Sequence, residues 1–303
     1  MNQTTKRLTG IVLVLLGASF WGIGGVVADF LFGAGGIDVN WFVSARLVFS
    51  GLLLLSIQLF RDPKSIMSIW RNLKVFMSLV VFSLFGVLLV QYSYMASIDA
   101  GNAALATLLQ YLAPIYIVLW MIFRGEQTLT IADIISIAFT IIGTWLLLTN
   151  GSIHGIVAPP KAVVWGVISG LSLAFYTLYA KKLLAKHSSL SVVGWSMLLA
   201  GVCMSFVHPI WAVSTKEWSM TIVLSLVFAI VFGTALAYWM FIESLNYLRA
   251  KETTLLGTVE PLAAVICSVI WLKLSFGILQ IVGMMLIILL VLYQSLQKKN
   301  VRH

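Results

Sequence analysis

The residue that points most directly to chemistry in this sequence is Glu260, which directly precedes Pro261 inside an apolar segment of membrane-spanning length. A carboxylate at the centre of a bilayer costs about 2.5–3.5 kcal/mol on insertion scales, so a glutamate retained there is functional by default. Such a carboxyl group can bind a cationic substrate group or carry a proton in exchange for substrate. A hydrogen-bonded structural glutamate remains the alternative.

Further candidate binding residues lie at similar depth in other apolar segments. Gln110 and Tyr111 precede Pro114 by about one helical turn and add hydrogen-bonding capacity that packing alone does not need. Aromatic faces suit cations and apolar organic groups. The aromatic candidates for substrate contact are Trp21, Tyr94, Tyr176 and Tyr238. Simple packing of these aromatic side chains is the alternative, and it stays open.

Other chemistries find little support in the residue pattern. Asp29 and Arg46 lie inside apolar segments and predict a structural ion pair, or an arginine that snorkels to the membrane surface, rather than a substrate contact. The histidines and cysteines lack metal-ligand spacing, so no metal site is predicted. Neither a phosphate-binding loop nor a Ser/His/Asp arrangement is found, so the sequence predicts no cofactor, no direct use of ATP and no hydrolase.

The composition is that of an integral membrane protein. Of the 303 residues, 61% are apolar and only 10% are charged, against about 25% in a typical soluble domain. Such a chain cannot hide its apolar surface in water, which excludes a soluble enzyme and a disordered protein. The net charge of +9 is attributed to basic cytoplasmic loops, and no nucleic-acid partner is predicted.

A window of about 20 apolar residues predicts an all-α protein with ten transmembrane helices. The predicted spans are 8–32, 39–60, 73–96, 101–123, 130–149, 162–184, 190–212, 219–247, 251–274 and 277–297. With the N-terminus inside, fifteen Lys and Arg residues fall on the cytoplasmic side and three on the other. This bias places both termini in the cytoplasm.

The two halves of the chain repeat each other. After a shift of 147 positions, residues 78–118 align with 225–265 without a gap, and 13 of the 41 positions are identical. Each repeat, 8–149 and 162–297, contains five predicted spans. Because five is odd, the two copies must cross the bilayer in opposite senses. Inverted repeats are typical of secondary transporters, whose halves exchange inward-open and outward-open shapes.

The repeat also indicates where a substrate would bind. Pro114 and Pro261 are equivalent under the shift and lie near the middle of the fourth and ninth spans. Proline removes a backbone hydrogen bond and interrupts a helix. Paired interruptions at membrane depth predict a midplane binding site between the repeats. A simple packing kink is the alternative for either proline alone.

With these residues in place, the chain resembles the EamA family of the drug/metabolite transporter superfamily. The resemblance covers both repeats and is carried best by Gly233-Thr234-Ala235-Leu236-Ala237-Tyr238, Asn246, Ala250 and Glu260-Pro261. Supporting matches are Ser19-Phe20-Trp21-Gly22, Arg46, Pro114 with Gly125-Glu126, and Tyr176-Thr177-Leu178-Tyr179-Ala180. One departure is Lys273, where such sequences usually have a glutamate.

This resemblance implies a ten-helix fold in which spans 1, 3, 4, 6, 8 and 9 line a central cavity. It also implies movement of small organic solutes, most often export of amino acids, other metabolites or drugs. The predicted function is therefore a secondary transporter of the plasma membrane that works by alternating access, with the proton as a candidate coupling ion. An importer, a channel, an intramembrane enzyme and a non-transporting receptor stay open, as does a homodimer.

Overall fold

A computed structural model of the chain describes residues 3–125, 128, 131–152, 157–184, 187–212, 218–244, 247–248, 256–257 and 259–296. Within these ranges every regular element is helical and there is no strand. The helices are α1 Gln3–Gly33, α2 Val39–Arg61, α3 Pro63–Ser68, α4 Leu73–Ala100, α5 Ala103–Gln110, α6 Ala113–Phe123, α7 Ile131–Thr149, α8 Pro160–Leu184, α9 Ser189–Val207, α10 Met220–Ser244, α11 Val259–Ile270 and α12 Ile278–Leu296. The prediction of an all-α membrane protein is confirmed.

Most predicted spans have a helix of matching position. Among the described residues, seven helices are long and apolar enough to cross a membrane. Three shorter apolar stretches, Ile137–Thr149, Val259–Ile270 and Ile278–Leu289, fall on the fifth, ninth and tenth predicted spans. The total of ten therefore stays a prediction. The short helix α3 was not predicted, because it is too short to leave a hydropathy signal.

Short polar residues start several of the helices. Asp38 accepts a hydrogen bond from the backbone N–H of Trp41 at the start of α2, at 2.9 Å. Asn72 begins α4 and Asn102 begins α5 in the same way. Such side chains satisfy amide groups that have no partner inside the helix. These caps explain how very short connections separate long apolar helices.

The contacts between helices follow the repeat, in which each span corresponds to the span five places later in the chain. Helix α1 packs against α10 and α11, and its counterpart α8 packs against α4, α5 and α6. The remaining principal pairs, α2 with α9, α7 with α12 and α5 with α11, each join one repeat to its counterpart in the other. This paired pattern of contacts is the one that a two-fold relation between the repeats requires.

Glycines let α1 approach the second repeat very closely. A Cβ atom on Gly24 would lie 2.8 Å from the Cα of Gly233 in α10, and one on Gly22 would collide with the carbonyl oxygen of Glu260. Small residues at such crossings are typical of helix packing in membranes. At these two glycines α1 therefore comes within backbone contact of both α10 and the start of α11.

Two helices contain a π-helical segment at matching places. Phe82–Leu88 in α4 and Val231–Leu236 in α10 have this wider winding. Shifted by 147, the first segment falls on residues 229–235 and overlaps the second. Segments of this kind are frequent at functional sites. Hydropathy does not predict them, because the same apolar residues can wind as a π turn or as an α turn.

The fourth predicted span is interrupted, as its proline indicated. Helix α5 ends at Gln110 and α6 begins at Ala113, so Pro114 lies in the first turn of a new helix instead of kinking a continuous one. Proline is well tolerated in a first helical turn. Pro261 lies near the described start of Val259–Ile270, and because the residues before this helix are only partly described, an interruption of the ninth span stays a prediction.

Candidate functional site

The repeats meet at a pseudo-two-fold axis that two contacts locate. The side-chain amide of Gln91 donates a 2.8 Å hydrogen bond to the Tyr238 hydroxyl, and these residues are 147 positions apart. Gly51 packs against the backbone of Leu198, also 147 positions away. A residue can touch its own repeat equivalent only near the axis. The inverted repeat predicted from the sequence has such an axis in the membrane plane, so a midplane position of these contacts stays a prediction.

Glu260 and Tyr111 meet beside this axis. The Tyr111 hydroxyl lies 3.0 Å from Glu260 Oε2 and 3.1 Å from the carbonyl oxygen of Gly257. Tyr111 occupies the break between α5 and α6, while Glu260 is in the first turn of α11. The contact thus joins the two proline-containing spans, one from each repeat. Glu260 itself is buried, with only 9% of its surface exposed.

Aromatic rings flank this pair on the α1 side. The rings of Trp21 and Tyr238 meet edge to face with centroids 4.7 Å apart. Trp21 also packs on Phe241 at 4.9 Å. Edge-to-face ring pairs are favourable and hold each other in place. The structure therefore brings together Trp21 and Tyr238, two of the residues predicted to contact substrate.

The other predicted binding residues, Tyr94, Gln110 and Tyr176, form side-chain contacts with neighbouring helices. The Tyr94 hydroxyl forms a 2.6 Å hydrogen bond with Thr107 of α5. Gln110 donates to Ser169 of α8 at 2.6 Å, away from Glu260. Tyr176 stacks on Phe82, in the π-helical segment of α4, with ring centroids 4.9 Å apart. These contacts link neighbouring helices, so a substrate role for the three residues stays a prediction.

The ion pair predicted between Asp29 and Arg46 is absent from the structure. Asp29 Oδ2 instead accepts a 2.9 Å hydrogen bond from the backbone N–H of Ala103, the first residue of α5. Free amides at a helix start attract a carboxylate, which explains this choice of partner. Arg46 faces α10, where its Nε donates to the Thr234 hydroxyl.

Removing the Asp29 carboxylate is expected to loosen the start of α5. We predict that Asp29→Ala lowers the free energy of unfolding by about 1 kcal/mol, the usual cost of losing a helix cap. Asp29→Asn keeps an acceptor oxygen and should retain most of that stability. Asp99→Asn changes an exposed carboxylate nearby and serves as the control. Reversible unfolding in mixed micelles measures all three, and equal stability of the Ala and Asn variants would contradict the capping role.

A second glutamate, Glu243, lies near the end of α10. Its Oε2 is 3.8 Å from Nη1 of Arg61, which also lies over the ring of Trp239 at 5.6 Å. Arg249 and Lys251, the basic residues that follow Glu243 in the sequence, lie outside the described part of the chain. Glu243 is thus tied to the end of α2 and distinct in position from Glu260.

Several residues around the site were not predicted from the sequence. Thr234 accepts a hydrogen bond from Arg46 through its side-chain hydroxyl, and Ser50 donates to the carbonyl oxygen of Ile230, just before the π-helical segment of α10. A π-helical segment leaves no pattern in composition that would point to these residues. Phe241 gave no signal because one aromatic among many apolar residues is unremarkable. Among the described residues no group of three or more His, Cys, Asp and Glu side chains is placed to hold a metal ion.

Comparison with known proteins gives one consistent result. The chain matches the EamA-like transporter family over residues 8–149 and 160–295. It is 31% identical over 302 residues to a protein of Salmonella typhimurium described as uncharacterized inner membrane transporter YicL, covering 99% of this chain and 98% of that protein. An uncharacterized transporter of Archaeoglobus fulgidus is 24% identical over 86% of this chain and 87% of its own length.

A solved crystal structure shares the arrangement of the helices. It superposes with a TM-score of 0.63 at 16% identity and covers 97% of this chain and 98% of that chain. Identity at that level shows the fold alone. The shared fold includes both halves of the chain.

Proposed function

Because the chain belongs to the EamA-like transporter family, we propose that it is a secondary transporter moving a small organic solute by alternating access. The family and its relatives point to transport rather than catalysis, and the relative from Salmonella supports a multi-pass protein of the plasma membrane. Both termini are proposed to lie in the cytoplasm, in agreement with the bias of basic residues.

The contact between Tyr111 and Glu260 is the observation that carries the proposal. It joins the proline-containing span of one repeat to that of the other, beside the two-fold axis. A ligand that replaces or extends this contact interacts with both halves at once. Its binding energy can therefore favour one arrangement of the halves over the other, which alternating access requires.

The chemistry of the site favours a solute with a cationic group. Glu260 supplies a buried carboxylate, and Trp21 and Tyr238 supply aromatic faces next to it. Carboxylates and aromatic faces both attract ammonium-type groups. The proposed direction is export. The Glu260 carboxyl group is also a candidate to carry a proton in the direction opposite to the substrate. Binding a cationic group and carrying a proton are compatible roles in an exchange mechanism.

Counterflow in proteoliposomes tests the proposal. A panel of amines, zwitterions, carboxylates and sugars is first screened by thermal stabilisation of the purified protein, because a ligand at 100 times its Kd adds about 2.7 kcal/mol of stability. A carrier then exchanges external radiolabelled solute for unlabelled solute inside. Downhill flux without exchange would indicate a channel. Chemical alteration of the solute would indicate an enzyme, and binding without flux would indicate a receptor. Each of these three results would contradict the proposal.

A further inference from the structure

Arg46 is a buried charge surrounded by neutral groups. Only 5% of its surface is exposed. Its Nε donates to the Thr234 hydroxyl, its Nη2 lies 3.4 Å from the carbonyl oxygen of Gly233, and its Nη1 lies 3.2 Å from the sulfur of Met95. Its guanidinium also lies 5.8 Å from the ring centre of Phe42. A charge inside a membrane protein is costly, so its position calls for a role.

Most of these bonds reach a single structural feature, the π-helical segment Val231–Leu236 of α10. In a π turn the backbone hydrogen bonds span five residues instead of four, which strains the regular ladder and leaves carbonyl groups in need of donors. Ser50, one helical turn beyond Arg46 in α2, donates to the carbonyl oxygen of Ile230 at 3.1 Å. Thr234 donates to the carbonyl oxygen of Ala229 at 2.8 Å. Helix α2 therefore contributes donors to the distorted turns of α10.

The π segment determines where the following residues point. One extra residue in a helix turns everything after it by about 100° around the helix axis, since an α-helix has 3.6 residues per turn. Tyr238 follows the segment by two residues and meets both Trp21 and Gln91. A change of winding at Val231–Leu236 would turn Tyr238 out of the candidate binding site.

The equivalent π segment in α4 has no such support from α9. The positions that correspond to Arg46 and Ser50 under the 147-residue shift are Val193 and Met197, both buried and apolar. They have no side-chain donor to offer to Phe82–Leu88. Ser83, inside that segment, bonds the carbonyl oxygen of Leu79 in its own helix at 2.7 Å. The two π segments thus match in position but differ in how they are held.

We propose that Arg46 and Ser50 form a clamp on the π-helical segment of α10, so that Arg46 is a positioning residue for Tyr238 and the unclamped segment of α4 is the one that rewinds during transport. The rewinding of the α4 segment during transport rests on the proposed function. The clamp itself does not, because it concerns the stability of one helical segment against the other.

Hydrogen exchange measured by mass spectrometry in lipid nanodiscs tests the clamp with an internal control. In the unmodified protein, amides of Phe82–Leu88 should exchange at least tenfold faster than those of Val231–Leu236. In Arg46→Met, exchange at Val231–Leu236 should rise at least tenfold, while exchange at Phe82–Leu88 changes less than threefold. A merely structural role for Arg46 would raise exchange in both segments together, and that result would overturn the proposal.

Two further variants keep the test decisive if Arg46→Met does not fold. Ser50→Ala deletes a single donor and should raise exchange at Val231–Leu236 by about threefold or more. The control Ser44→Ala lies two positions from Arg46, and its hydroxyl bonds only the carbonyl oxygen of Asn40 in its own helix. It should leave both segments unchanged. An effect of Ser44→Ala equal to that of Ser50→Ala would overturn the clamp.

The outcome can be separated from that of the transport experiment. Selective loss of protection in α10 without any counterflow would support the clamp and contradict the transporter. Counterflow together with equal exchange in the two segments of the unmodified protein would support the transporter and contradict the clamp.

Discussion

Replacing Glu260 by glutamine should weaken binding of a cationic solute by about 10- to 100-fold. The amide keeps the size of the side chain and a hydrogen-bond partner for Tyr111, but it removes the negative charge. Hydrogen bonds to charged groups contribute about 1.5–3 kcal/mol, which corresponds to that range of affinity. The measurement is the dissociation constant of the solute that stabilises the purified protein most.

Glu243→Gln is the matched control for this substitution. Glu243 is also a glutamate of a membrane-length helix, but it pairs with the half-exposed Arg61 at 3.8 Å. Exposed ion pairs contribute about 0–1 kcal/mol, so Glu243→Gln should change the dissociation constant of the solute by less than about fivefold. Uptake under an imposed pH gradient tests the proton role of Glu260 at the same time. Unchanged rate, affinity and pH dependence in Glu260→Gln would contradict both of its proposed roles.

Introducing a large side chain at Gly24 should prevent correct packing of α1. The Cβ of Gly24→Leu would lie 2.8 Å from a backbone atom of Gly233, and backbone cannot rotate away as a side chain can. Overpacking usually lowers the free energy of unfolding by about 1–3 kcal/mol, and we expect a collision with backbone to lower it by the upper value or more. We expect loss of the monodisperse species in size-exclusion chromatography, or a clear fall in its thermal midpoint.

Gly33→Leu provides the comparison in the same helix. No atom lies within 4 Å of the Cβ position at Gly33, the last residue of α1. This variant should behave like the unmodified protein. Equal tolerance of leucine at positions 24 and 33 would mean that α1 does not cross α10 as described.

The sequence was a good guide to everything that depends on hydropathy and on the repeat. Long apolar runs predict the helices because a bilayer requires about 20 apolar residues and satisfied backbone groups. The 147-residue shift identifies equivalent helices, and in the structure two such equivalent pairs, α2 with α9 and α7 with α12, pack against each other. The pairing of Pro114 with Pro261 also pointed to the break at Tyr111 and to the neighbourhood of Glu260.

The partners of individual polar side chains were harder to predict. Asp29 and Arg46 are opposite charges at comparable depth, so sequence reasoning paired them. It could not show that a free amide of Ala103 and the hydroxyl of Thr234 lie closer. Such partners depend on helix rotation, which one extra residue in a π turn changes by about 100°. No periodic pattern in the sequence records that rotation.

The central claim is that the site around Tyr111 and Glu260 opens to each side of the membrane in turn, and one engineered thiol tests it. Gly257 is suited to this because its carbonyl oxygen lies 3.1 Å from the Tyr111 hydroxyl while its replacement leaves Glu260 intact. Gly257→Cys is made in a background with Cys203 and Cys267 changed to serine, and is treated with a membrane-impermeant thiol reagent in right-side-out and inside-out vesicles. We predict reaction from both sides and slower reaction when the stabilising solute is bound. Reaction from one side alone, or from neither, would contradict alternating access at this site.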